Sequence, residues 1–318
     1  MRIHLRDASI VAAKRSWVFL VLVCCTAALA GSAEARRPGL TERVSLRSDG
    51  TDPGTEADNT LSSHVSRDGR YVVFETNERL APQDLVPTRD VYIRDRLRQT
   101  TELVSVGSEG AQARIPSVAG SWTPSMTPDG RFVVFYTLNP LVPGDTNLAT
   151  DIYVRDVKRG LTERVSVDSD GNQTLLPIDD HNSVEPSISN DGRLVAFTSA
   201  ASDLVEDDTN GADDTFVHDR ATGETIRASV ADDERQAQGT SSWSNISGNG
   251  RFVLFHHADK TLGPGYGAAP DYTLGGTLVG LWMRDRIRSS SQDCQHDHHG
   301  THLGGIQPRS DVRIGVTC

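Results

Sequence analysis

The chain has 318 residues, of which 36% are hydrophobic and 6% aromatic, with 28 glycines and a formal net charge of −11. That apolar share is enough for a packed core and argues against a disordered chain. The acidity removes the basic face that sequence-independent binding to nucleic acid needs.

In chain order, the first element is a targeting segment. Arg2, Arg6, Lys14 and Arg15 precede an uncharged stretch from Trp17 to Ala30, followed by Ala33-Glu34-Ala35. A basic start, a short apolar run and a small-x-small site form the pattern of a secretory signal, so residues 1–35 are expected to be removed on export. The apolar run is shorter than the roughly 20 residues that a membrane-spanning helix requires. The address implied is periplasmic or extracellular.

Residues 36–290 are read as a repeat domain. SRDGRYVVFET begins at Ser66, TPDGRFVVFYT at Thr127, SNDGRLVAFTS at Ser189 and SGNGRFVLFHH at Ser247, a period of about 61 residues. A second element follows each of these: DVYIRD from Asp90, DIYVRD from Asp151, DTFVHD from Asp214 and a weaker LWMRD from Leu281. A third reads TERVSL from Thr41, TELVSV from Thr101, TERVSV from Thr162 and TIRASV from Thr225. Asp68 to Asp95, Asp129 to Asp156 and Asp191 to Asp219 are 27, 27 and 28 residues apart, a register that chance does not keep.

Each unit translates into four strands. Asp-Gly and its relatives suit a tight hairpin between strands one and two. The β-branched and aromatic run after it suits an inner strand buried on both faces, with Phe74, Phe135, Phe197 and Phe255 at equivalent places. The D-x-Y-x-R-D element forms strand three and the SV element strand four. Four-stranded units that cannot bury their faces alone must stack, and twisted ones stack radially into an all-β propeller of four four-stranded repeats. TERVSL at 41–46 has no blade before it, and the last unit has no SV element after Asp285. Pairing of Thr41–Leu46 with Leu281–Asp285 is therefore expected to close the ring and remove an open edge. A truncated six-bladed array is the alternative.

The S-x-D-G-R-x-V-x-F pair followed by D-x-Y-x-R-D resembles the TolB-like, WD-like propeller repeats of exported bacterial proteins. The resemblance covers about residues 41–285 and implies a binding scaffold; it carries no chemistry, because fold does not imply function. Its departures fall in the last unit, where Asn249 replaces the turn aspartate and Gly280 the strand aspartate.

One side-chain constellation has metal-ligand chemistry. Asp145, Asn147 and Asp151, and again Asp208, Asn210 and Asp214, form a D-x-N-x-x-x-D pattern that places three oxygen ligands for a hard cation such as calcium. The same residue types also make side-chain-to-backbone turn bonds. No other cofactor is expected.

Residues 291–318 form a His/Gly-rich tail. Asp293, Cys294, His296, Asp297, His298, His299 and His302 are a solvated tract or, read as ligands, a zinc or copper tract. His299-Gly300-Thr301-His302 resembles the histidine motif of subtilisin-like proteases, but the nucleophile such a motif serves would have to lie beyond Cys318. Cys294 and Cys318 are expected to form a disulfide in an oxidising compartment. The functional expectation is a non-catalytic, monomeric scaffold that binds a protein, peptide or glycan of the cell envelope through loops on one face. A hydrolase or lyase with a central-channel site is the alternative.

Overall fold

The computed structural model describes residues 41–54, 62–86, 88–112, 120–175, 183–258, 262, 272–274 and 277–287, with only the backbone given for 272–274 and 277–279. Residues 1–35, expected to be a signal, and residues 291–318, with Cys294, Cys318 and the tail histidines, lie outside the described residues.

The described residues are all-β and fall into four antiparallel sheets of four strands. The first holds β1 (Ser63–Val65), β2 (Tyr71–Thr76), β3 (Asp90–Asp95) and β4 (Thr100–Leu103). The second holds β5 (Ser121–Met126), β6 (Phe132–Thr137), β7 (Asp151–Asp156) and β8 (Leu161–Arg164). The third holds β9 (Ser183–Ile188), β10 (Leu194–Ser199), β11 (Asp214–Asp219) and β12 (Thr225–Arg227). The fourth holds β13 (Ser241–Ile246), β14 (Phe252–His257), β15 (Tyr272–Leu274) and β16 (Thr277–Asp285). The first three run in chain order, whereas the fourth has the order β13-β14-β16-β15. These are the four blades of the propeller.

The S-x-D-G-R turn is built by its own side chains. The Ser66 hydroxyl donates to Asp68 at 2.7 Å and accepts from the Tyr71 N–H at 2.9 Å, while Asp68 accepts from the Arg70 N–H at 3.0 Å. Thr127/Asp129, Ser189/Asp191 and Ser247/Asn249 repeat these bonds. Asn249 serves because its amide oxygen accepts as a carboxylate does. The turn glycines Gly69, Gly130, Gly192 and Gly250 stand at φ of 69°, 72°, 75° and 72°, the left-handed region glycine enters without steric cost. The arginine of the turn then reaches the aspartate that ends strand three: Arg70–Asp95, Arg131–Asp156, Arg193–Asp219 and Arg251–Asp285 at 2.6, 2.7, 2.5 and 2.7 Å. This clamp ties the turn to the end of strand three in every blade, across 25, 25, 26 and 34 residues.

One face of each blade lies on the opposite face of the next. Val73, Val91 and Ile93 share a cluster with Met126, Val133 and Phe135. Val134, Ile152 and Val154 share one with Ile188, Val195 and Phe197, and Ala196 and Val217 with Ile246, Val253 and Phe255. Phe74, Phe135, Phe197 and Phe255 are all buried. Backbone bonds stitch the same joints, Ser121, Ser183 and Ser241 donating to the carbonyls of Arg89, Thr150 and Asp213 at 2.8, 2.9 and 2.6 Å.

Two expectations about the ends are corrected. Strand four is the first half of the third element (β4, β8 and β12), as its motif predicts, and the chain beyond it crosses to strap the next blade, which changes how the ends are used. Ser108 donates to the Thr162 carbonyl and accepts from its N–H, as does Ser169 with Thr225. Ser48 makes the same pair with Thr101, and Thr101 Oγ1 donates to the Leu46 carbonyl. Residues 41–47 form no strand and the segment from Leu46 to Ser48 straps the first blade, so Thr41–Leu46 does not pair with Leu281–Asp285. The fourth position of the last blade is filled by β15, which pairs through Tyr272↔Val279 and Leu274↔Thr277.

Candidate functional site

The acidic loops between strands two and three sit where each strand three begins. Asp90, Asp151 and Asp214 are buried, and each accepts a hydrogen bond from the serine of the SV element, Ser105, Ser166 or Ser229. Asn147 and Asn210 cap their own loops, accepting from the N–H groups of Ala149 and Ala212 at 3.0 and 2.9 Å. The Tyr153 hydroxyl donates to Asp145. Between the carboxylates stands an arginine of the chain itself. Arg164 Nη1 is 3.4 Å from Asp145 and 3.5 Å from Asp151, and Arg227 Nη1 is 3.4 Å from Asp208 and 4.0 Å from Asp214. Asp145, Asn147 and Asp151 lie in one loop and Asp208, Asn210 and Asp214 in another, and in each the charge between the carboxylates is a guanidinium. Among the described residues no group of three or more His, Cys, Asp or Glu side chains is placed to hold a metal ion.

Burial dominates the titration of this network. It pushes Asp151 and Asp214 up to about 6, against the opposing pull of Ser166 and Arg164, and of Ser229 and Arg227. Leu103 takes the arginine's place in the first blade, and burial raises Asp90 to about 7 with Asp84 adding its charge.

A second constellation lies on the first strands, which are the free edges of their sheets and tolerate Pro124 and Pro186 for that reason. Their C-terminal ends and following turns line a cavity of about 400 Å³, to which all four blades contribute, among them His64, Arg67, Ser125, Asn190 and Asn245. Towards the opposite end of three of these strands the backbone bulges. Thr123, Glu185 and Trp243 occupy equivalent positions there with φ of 43°, 55° and 57°. For bulky residues this conformation is strained, and strain of this kind clusters at functional sites.

Two of the three bulges are held by carboxylates of the preceding blade. Glu75 accepts from the Thr123 N–H at 2.6 Å and pairs with Arg89 at 3.0 Å, and Glu185 accepts from the Trp243 N–H. Trp122 stacks on Tyr136 with ring centroids 5.4 Å apart, and Trp243 on His256 at 6.5 Å. Trp243 remains 60% exposed. Burial raises the carboxyls of Glu75, Glu185 and Asp213, with the Asp213 charge adding to the rise at Glu185. Burial, and after it the charges of Glu75 and Glu185, raises Tyr136. The result is an aromatic and acidic patch on the first strands, with Glu75 and Glu185 held in place by backbone amides.

Motif reading passed over these residues. The signal that marks them is a break in the repeat: Thr123, Glu185 and Trp243 occupy one register position and share no chemistry, whereas the structural positions around them repeat.

No family model matches the sequence, and no curated protein matches it. Solved structures similar to the chain include a TolB candidate from Agrobacterium tumefaciens, at 15% identity and a TM-score of 0.44 over 77% of this chain and 76% of that one. An oligogalacturonate lyase from Vibrio parahaemolyticus is similar at 10% identity and a TM-score of 0.40, covering 76% of this chain and 53% of its own. A puromycin-hydrolyzing peptidase from Mycobacterium tuberculosis is similar at 11% identity and a TM-score of 0.41, with 76% and 29% covered. The chain thus spans about half of the lyase and under a third of the peptidase. At these identities and scores no activity or partner carries over to it.

Proposed function

We propose that the protein is an exported β-propeller scaffold that binds a peptide or glycan of the cell envelope at the patch formed by Trp122, Trp243, Glu185 and Asp213. The observation that carries this reading is Trp243: a large ring left exposed on a strained bulge, backed by His256 and fixed through its amide by Glu185. An exposed aromatic platform beside carboxylate acceptors suits the apolar face of a sugar ring or an aliphatic side chain, with hydroxyl or ammonium groups meeting the acids. Export rests on the N-terminal pattern; no helix among the described residues is long and apolar enough to cross a membrane. We assign Asp145, Asn147, Asp151, Asp208, Asn210 and Asp214 a structural role, with Arg164 and Arg227 supplying the positive charge that a calcium ion would otherwise bring.

The test is capture from cell-envelope extract on immobilised protein, wild type beside Trp243→Ala and Glu185→Gln. Components retained by wild type and lost from both variants support the reading. Identical capture by all three overturns it.

A hydrolase or lyase reading has one observation in its favour. Burial raises the proton affinity of the Glu185 and Asp213 carboxyls, with the Asp213 charge adding to the rise at Glu185, which suits general acid work. Product release from envelope polysaccharide or peptide, abolished in Glu185→Gln, would favour it over simple binding.

A further inference from the structure

The three internal joints define what covers a blade face, and among the described residues the two ends of the array lack that cover. Val73, Val91 and Ile93 in the first blade, Val134, Ile152 and Val154 in the second, and Ala196, Thr215 and Val217 in the third are all buried. The same register positions in the fourth blade are Leu254, Leu281 and Met283, and they are 38%, 54% and 63% exposed. At the other end, Met126, Ile188 and Ile246 of the first strands are buried in the joints, whereas their equivalent Val65 is 60% exposed. The uncovered face is apolar in the last blade and so is the knob in the first.

Closer contacts repeat the pattern. A Cβ on Gly130, Gly192 or Gly250 would meet Tyr71, Phe132 or Leu194 of the preceding blade at 2.4, 2.3 and 2.3 Å, so each turn glycine is a cradle for a side chain of its neighbour. Gly69 is the fourth such cradle, where a Cβ would meet within 4 Å only Arg96 of its own blade. Phe252 is the fourth side chain of the row. The outer edge of the first blade is already strapped by residues 46–48, so only its face contact is unmade.

We propose that this face takes a second copy of the chain, head to tail, with Leu254, Leu281 and Met283 of one copy receiving the Val65 knob of the next and Phe252 seated on Gly69. The occupant follows from continuity with the joints inside the molecule: the surface that complements this side of a blade, three times over, is the opposite side of a blade, and the first blade offers one. The contact is heterologous, since the two patches differ. This departs from the monomer expected from sequence.

The experiment is sedimentation velocity of the full chain over a concentration series, with Val65→Asp, Met283→Asp and their equimolar mixture. Both positions are exposed, and a cooperative thermal melt checks each variant; Val65→Ser and Met283→Ser replace either aspartate variant that fails this check. Wild type is expected to reach at least twice the monomer mass as concentration rises. Each variant alone should stay monomeric, because one of its two patches is blocked, and the mixture should recover a dimer through the patch each retains. A monomeric wild type throughout overturns the proposal, as does a variant that associates alone or a mixture that does not recover.

Discussion

At the scale of single residues, buried aspartates set how the fold responds to acid. Asp90 at about 7, and Asp151 and Asp214 at about 6, lie above the ordinary aspartate value of 3.8. The folded state therefore holds more protons than the unfolded chain between pH 4 and 7, and stability falls as pH rises through that window. Asp219 works in the opposite sense. Arg193 holds it down at about 2, so its stabilisation is present above 3.8 and is lost as pH falls towards 2. The melting temperature should rise on acidification from pH 7.5 to about 5 and fall again below about 4. Asp90→Asn should flatten the upper part of that curve, and a thermal melt series checks it. Calcium should leave the melt unchanged relative to chelator, because Arg164 and Arg227 neutralise the acidic loops. A true site at a hundred times its dissociation constant would add about 2.7 kcal/mol, which a melt would detect. Spacing alone could not distinguish a metal from an arginine, since Arg164 and Arg227 come from a different strand.

At the scale of the element, the turn and the second strand were fully legible. Ser66 to Phe74 and its three relatives carry the hairpin turn and the inner-strand pattern in their residue types, and the structure realises both. Phe197, buried in the joint between the second and third blades, should cost about 3 to 5 kcal/mol on replacement by alanine, measured by denaturant unfolding. The strap was not legible. TERVSL and TELVSV read as whole strands, yet the hydroxyl of Ser48 or Ser108, beyond the motif, makes the cross-blade bonds. Removing residues 41–48 should uncover the Thr101 edge of β4, lower the melting temperature and promote association. An unchanged melt would show that the strap carries no stability.

At the scale of the whole molecule, the repeat gave the blade count, because each unit supplies both a face and its complement. The fourth blade's own topology was hidden: β15 comes from the loop before β16, a segment with no counterpart in the other units. The patch was hidden for the opposite reason, since its residues sit where the repeat stops repeating. If the ligand binds at this patch, tryptophan emission reports it directly, because Trp243 is both exposed and in the proposed contact. Titration of the protein with fractionated envelope glycans and peptides should shift or quench the emission in wild type. The change should shrink in Trp243→Phe, leaving the share of Trp122, and weaken in Glu185→Gln, with the melt of each variant preserved. A binding fraction that leaves emission unchanged in wild type, or changes it equally in all three proteins, would contradict the account.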